Sequence, residues 1–340
     1  MEHSGPDAAG EPAGGGESTL TVLRAMGVNL AIAIAKAVAG VLSGSAAMLS
    51  EAAHSVADTI TELLLLVALR RSARPADRTH PFGYGKERYV WSLLAAVSIF
   101  TAGALFSAYQ GWRTLTQEQG AEEDFTVAIV VLLVAIVLES VSLAQAVRQV
   151  RGELRRDRLG LRTWLRRTDD PTVKSVLLED SAAIIGLLVA LAGVWLTHVT
   201  GSHLWDGLAS LAIAGVLAGV ALSLGRTNVR LLTGRQADPR LVRALHDRLL
   251  ARPEVDAVVD LLTMTTGTGK VLLCARLDFD DRLGAAEVER AVVDAHIALR
   301  REFADLDEVF LEPVPRTDEV LRERAFSRYG APIGTAELDG

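Results

Sequence analysis

His54 and Asp58 stand four residues apart inside the apolar stretch Ala46 to Leu69, which is long enough to cross a bilayer. Holding a charge at membrane depth costs at least ~2.5 kcal/mol, so ionisable side chains there mark a path for an ion, a proton or a substrate. The i, i+4 spacing puts imidazole and carboxylate on one helix face, where both can coordinate a single divalent cation. A second acidic pair, Glu179 and Asp180, opens another apolar stretch. Glu179 is rotated about 100° around the helix from Asp180, and Asp180 is the stronger candidate. His54, Asp58 and Asp180 are therefore the expected ligands. A fourth position falls to water, to Glu179 after local adjustment, or to a group on another helix. Three protein ligands and one open position suit a site that must release its ion.

Other polar groups lie at similar depth. Glu51 shares the stripe of His54 and Asp58 but sits nearer the outer end of the stretch, where an exposed carboxylate is inexpensive; it is a candidate for an exit path. Asn29, Lys36 and Glu139 are expected to make interhelical hydrogen bonds or ion pairs, and Asp206 is expected at the interface. Polar glue alone explains one such residue; it does not readily explain three together.

The elements that must position these groups follow from composition. Half of the 340 residues are hydrophobic and 23% are charged, with a mean hydropathy of +0.27. Apolar windows of spanning length fall at Leu20 to Leu42, Ala46 to Leu69, Val90 to Trp112, Phe125 to Val147, Val176 to Val199 and Leu204 to Leu224, which makes six transmembrane helices over 20–225. The segment from Arg70 to Val90 holds six basic residues and that from Arg148 to Lys174 holds nine, whereas the alternate connections are poor in them. Basic loops face the cytoplasm, so both termini do too. The net charge of −7 sums over compartments and decides little. Residues 1–19 are Gly-rich and acidic, without the basic and apolar regions of a cleavable leader, and are expected to be a disordered cytoplasmic tail.

From 226 to 316 the hydrophobic runs shorten. Asp238 and Pro239 start a helix to Leu250. Val255 to Met264 and Lys270 to Asp278 alternate around Thr266-Gly267-Thr268-Gly269 as a hairpin, Leu283 to Phe303 is amphipathic, and Glu308 to Val314 is a third strand. The order αββαβ predicts a small cytoplasmic α/β domain with helices on one face of a sheet. The lone Cys274 is expected to be a buried strand residue, and 317–340 a flexible tail.

The run Gly40-Val-Leu-Ser-Gly-Ser-Ala-Ala-Met-Leu-Ser-Glu-Ala-Ala-His54-Ser-Val-Ala-Asp58, followed by Arg74-Pro-Ala-Asp77-Arg-Thr-His80-Pro-Phe-Gly83-Tyr-Gly85-Lys86-Glu, resembles the signature of the cation diffusion facilitator family. The resemblance extends from about Leu20 to Pro315, and Leu178-Glu-Asp-Ser-Ala-Ala-Ile-Ile-Gly186 is similar to the zinc transporter nine branch. It implies six spans plus a ferredoxin-like cytoplasmic domain, a homodimer, and transport of Zn2+ or a related divalent ion against protons. It maps the transport site onto His54, Asp58 and Asp180, with Val176 where a further ligand commonly stands. That departure leaves room for Mn2+, Fe2+ or Co2+, which accept more oxygen ligands. A cytoplasmic loop site maps weakly onto Asp77 and His80, with Tyr84 in place of a histidine. Val259, Arg276 and Glu312 occupy positions of bridging-metal histidines, so the soluble domain is expected to dimerise without metal.

The expected function is export of a divalent transition-metal cation, Zn2+ first, in exchange for protons, with membrane lipid around it and no cofactor, enzymatic reaction or nucleic acid. Alternatives are a Mn2+, Fe2+ or Co2+ exporter of the same fold and a metal-sensing scaffold that does not transport. A metal-gated channel would lack proton coupling, and a zinc enzyme would need acid/base and oxyanion groups that the sequence does not supply. Arg outnumbers Lys thirty-one to four, which points to a GC-rich bacterium and its cytoplasmic membrane.

Overall fold

The structure, a computed structural model, describes residues 15–116, 125–157, 160–161, 164–165 and 171–329. Helices α1 (Gly15–Ser43), α2 (Ala46–Ser72), α3 (Glu87–Thr116), α4 (Phe125–Asp157), α5 (Pro171–Thr200) and α6 (Leu204–Leu232) fall on the six expected windows. Five of them, α2 to α6, are long and apolar enough to cross a membrane; in α1 the described apolar part is Asn29–Ser43. Their burial is inverted relative to a soluble bundle. Large apolar side chains such as Val137, Leu188 and Trp195 face outward, and small ones such as Ala57, Ala135, Ala183 and Ala190 fill the contacts. Small residues let helix backbones approach in lipid, where hydrophobic burial gives no driving force between helices.

Helix α3 is not uniform: Ile99–Leu105 is wound as a π-helix. An extra residue per turn of this kind is rare and recurs at functional positions. An added β-carbon at Gly103, inside it, would touch the side chains of Leu217 and Ala57, so the π turn lies beside the residue that precedes Asp58.

Contacts divide the chain into two compact units. One comprises the described residues of Met1–Leu63, Val97–Gln145 and Leu178–Ala221; the other comprises those of Leu64–Ala96, Ala146–Leu177 and Leu222–Gly340. The second holds the small domain: α7 (Pro239–Leu250), β1 (Val255–Gly267), β2 (Lys270–Phe279), α8 (Ala285–Glu302), β3 (Leu306–Pro313) and α9 (Glu319–Tyr329). The strands form a mixed sheet in the order β1-β2-β3, with β1 antiparallel and β3 parallel to β2. Asp238 caps α7 by accepting from the Arg240 amide, with Pro239 at the first helical position, as the sequence predicts. Leu245, Leu249, Leu261, Leu273, Leu277, Leu299 and Val309 build one apolar core between the helices and the sheet.

Several boundaries differ from expectation, among them three that change an element's extent at a domain end. Helix α1 begins at Gly15, five residues into what was predicted to be tail. Helix α6 runs to Leu232 rather than ending at 225; Asn228 stays within it by donating back to the Leu224 carbonyl. Within 317–340, Glu319–Tyr329 forms α9, with Glu319 in its first turn where the helix dipole favours an acid; residues 330–340 lie outside the described set. Cys274 on β2 is half-buried rather than buried.

In the same unit the loop after α2 docks on the β1–β2 hairpin. Gly85 lies so close to the Thr266 carbonyl and Gly267 that any β-carbon would collide. Phe82 meets Phe310 edge-on at 6.5 Å.

Candidate functional site

Helix α2 carries the site because its polar residues recur every three or four positions: Glu51, His54, Ser55, Asp58 and Glu62. His54 is 1% exposed and its Nδ1 lies 3.4 Å from Asp58 Oδ1, with no hydrogen bond between them. Both ring nitrogens of His54 and Oδ1 of Asp58 are thus buried without a hydrogen-bond partner. Such groups lose their hydration with nothing in return. An imidazole nitrogen and a carboxylate oxygen held this way are the donor set a divalent metal uses.

On α5 the two acids separate. Asp180 accepts a 2.8 Å hydrogen bond from the Ser142 hydroxyl on α4. Glu179 is 93% buried, with Oε1 unpartnered. The sequence favours Asp180 on rotation around α5; the structure gives the free, buried oxygen to Glu179. Val176, the position before Asp180 on its stripe, is exposed on the outside of the helix. Among the described residues no three His, Cys, Asp or Glu side chains converge into a ready-made metal cage.

One expectation is corrected. Glu51 is not an exposed outer carboxylate: it is fully buried, and its Oε2 is 3.3 Å from Lys36 Nζ, itself fully buried on α1. Asp206, in the first turn of α6, is buried as well as near the helix end where it was expected. It accepts from the Ser45 hydroxyl and from the amides of Ala46 and Ala47, capping the N-terminus of α2 from another helix, where a negative charge is favoured. Lys36 and Asn29 do make the interhelical pairs expected of them, Asn29 donating to Glu62. Glu62 is the residue that sequence reasoning missed; its Oε2 is buried and unpartnered, and its i+4 spacing from Asp58 is the signal that could have found it.

The loop after α2 is built differently. Asp77 Oδ1 accepts from the Thr79 amide and hydroxyl and from the His80 amide, and Oδ2 accepts from the Tyr84 hydroxyl at 2.7 Å. The Thr79 and Tyr84 hydroxyls, with the backbone amides, hold its carboxyl well below the usual carboxylate range. His80 Nδ1 is 3.0 Å from the Thr79 hydroxyl, and its ring lies against Tyr84. A metal on Asp77 and His80 would have to break this turn. In the small domain Arg276 pairs with Asp260 at 3.2 Å and with Glu312 at 2.7 Å, its cross-strand neighbours on β1 and β3; an ion-pair clamp stands where the resemblance placed bridging histidines.

Several known proteins are similar to this chain. The family described as the cation efflux transmembrane domain matches residues 22–233. The mitochondrial proton-coupled zinc antiporter of Xenopus laevis is 37% identical over 248 residues, 73% of this chain and 44% of its own length. Metal tolerance protein C4 of Arabidopsis thaliana is 30% identical over 296 residues, 86% of this chain and 62% of the relative. The manganese efflux system protein MneP of Bacillus subtilis is 23% identical over 313 residues, 89% of this chain and 97% of the relative. The chain spans less than half the length of the zinc antiporter. The mitochondrial address of that relative gives no support to a bacterial cytoplasmic membrane. Apolar helices, a buried imidazole and carboxylates among them, and these matches lead to one conclusion: the chain belongs to the cation efflux, or cation diffusion facilitator, family, on the side of the zinc transporter nine branch, as a multi-pass membrane protein.

Proposed function

We propose that the chain exports a divalent transition-metal cation, Zn2+ first, from the cytoplasm in exchange for protons. The observation that carries this reading is the set of buried, unpartnered atoms on His54, Asp58 and Glu179, which asks for a cation that the protein itself does not provide. We assign the α5 ligand to Glu179, with Asp180 held by Ser142 as its alternate. Metal ligands must be deprotonated, so metal and protons compete for the same lone pairs. Neutral His54 with ionised Asp58 and Glu179 takes the ion from the cytoplasm; rearrangement of the six-helix bundle exposes it outward, where protons replace it and are carried back. The basic residues in the segments after α2 and α4 support a cytoplasmic position for those segments, both termini and the small domain. The αββαβ domain serves a homodimer in the manner of a ferredoxin-like fold.

A second reading, Mn2+ as cargo, draws on the oxygen-rich donor set and on the name of the Bacillus subtilis relative. Purified protein in vesicles with an imposed pH gradient separates the cargoes: Zn2+ uptake coupled to proton efflux is expected, and competition by Mn2+ ranks the two. His54→Ala and Asp58→Ala should each abolish it. Uptake by both variants at the parental rate would remove these residues from the path.

A further inference from the structure

The Lys36–Glu51 pair has features that a purely structural salt bridge lacks. Both side chains are fully buried, in a setting where two charges repay their desolvation only if their remaining donors and acceptors are also satisfied. They are not. Lys36 Nζ makes two contacts, to Glu51 Oε2 at 3.3 Å and to the Ser55 hydroxyl at 2.8 Å. Glu51 Oε1 has no partner. That free oxygen faces α5 at Gly186, where a β-carbon would collide with it. Gly186 lies seven residues, about two turns, beyond Glu179 on α5, and Glu51 lies three residues before His54 on α2. A half-used carboxylate thus sits one turn from the His54–Asp58 pair, held by an ammonium bonded to the residue that adjoins His54.

Resting on the transport reading above, we propose that Glu51 is a second station on the cation path and that Lys36 is a tethered cation occupying it when no metal is there. A carboxylate that grips an ammonium can grip a divalent ion with the same oxygen, and its free Oε1 supplies a second donor. The arriving ion displaces Lys36, which keeps the contact to Ser55. Exchange of one cation for another spares Glu51 from ever being bare in the lipid slab. It also keeps the metal from settling there, because the ammonium competes to return.

Four variants of the full chain in proteoliposomes, with Zn2+ as probe, test this. Glu51→Gln should lower kcat by about tenfold or more while KM moves by less than about twofold, the pattern of a step after initial binding. Lys36→Met frees the carboxylate, so calorimetry should show a second Zn2+ equivalent or binding about tenfold tighter, together with slowed turnover. Lys36→Arg, which keeps the charge, should restore most of the turnover. The double variant Lys36→Met/Glu51→Gln leaves no lone buried charge to unfold the protein and should stay as slow as Glu51→Gln. The proposal is overturned if that double variant carries Zn2+ at the parental rate, or if Lys36→Met binds Zn2+ with the parental stoichiometry and affinity. Failure of the transport reading is distinct: the parent would bind Zn2+ and move none, and the Lys36→Met titration alone would then decide the exchange.

Discussion

Two regions of the chain pair an aspartate with a histidine a few residues away, and they use the pair in opposite ways. In α2, His54 is buried, Asp58 is partly buried with its Oδ1 wholly enclosed, and their key atoms have no hydrogen-bond partners. In the loop after α2, Asp77 and His80 are half-exposed and the carboxylate is saturated by four donors. The lesson is that ligand-type residues at ligand-type spacing do not make a site. Burial without satisfaction leaves a free-energy deficit that a cation can fill, whereas a satisfied carboxylate has already been used to shape the backbone.

The largest effect should come from exchanging the test between the two regions. Asp58→Asn removes a charged donor at membrane depth and should weaken Zn2+ binding about a hundredfold or more, at least the upper end of the ~10–100-fold lost when only a hydrogen-bond partner of a ligand is removed. Asp77→Asn should leave the Zn2+ isotherm where it is and instead loosen residues 77–84 in hydrogen exchange. If Asp77→Asn moves the isotherm as far as Asp58→Asn, the contrast is wrong and the loop takes part in binding.

Next in size is the contrast within α5. Glu179→Gln deletes the buried, unpartnered oxygen and should raise KM about tenfold, while Asp180→Asn, which keeps a partner for Ser142, should cost only about two- to threefold. The opposite ranking, read from initial rates of Zn2+ uptake, would return Asp180 to the first coordination shell and make the observed rotation of α5 a resting arrangement.

Much of this was legible in the sequence, for identifiable reasons. Six apolar windows, the His54–Asp58 spacing and the Asp238–Pro239 helix start are local signals, each contained in one segment. The fates of Glu51 and Asp206 are not local. Glu51 is buried because Lys36 on α1 meets it, and Asp206 is buried because the first amides of α2 converge on it; neither partner is marked by spacing along the chain. Glu62 lies inside the apolar stretch, one turn beyond Asp58 on the same stripe, but the partner that fixes it, Asn29, is on another helix and is not marked by spacing along the chain. The choice between Glu179 and Asp180 turned on how α5 rotates against its neighbours. Periodicity along α5 alone cannot fix that.

A smaller effect is expected at Tyr84. Its hydroxyl donates to Asp77 Oδ2, and its ring stacks under Arg74, the guanidinium carbon 4.5 Å from the ring centre. Tyr84→Phe keeps the ring and removes one hydrogen bond to an exposed carboxylate, where solvent screens most of the loss. The change should register as faster hydrogen exchange in 77–84, with Zn2+ uptake at the parental level.

The smallest effect is the response of the same loop to acid, and its sign follows from linkage. Asp77 is held below its ordinary value by donors that exist only in the folded turn, first the Thr79 hydroxyl and then that of Tyr84. A carboxyl depressed in this way stabilises the fold fully above its unfolded value of ~3.9, and that contribution is lost as pH falls through the lower folded value. Between pH 7 and 5, therefore, the loop should keep its protection against hydrogen exchange, while Zn2+ binding at His54 and Asp58 weakens because protons compete for the ligand atoms. Loop protection that collapses in step with Zn2+ affinity over this range would mean that Asp77 is not anchored by its four donors. The two regions would then titrate as one system.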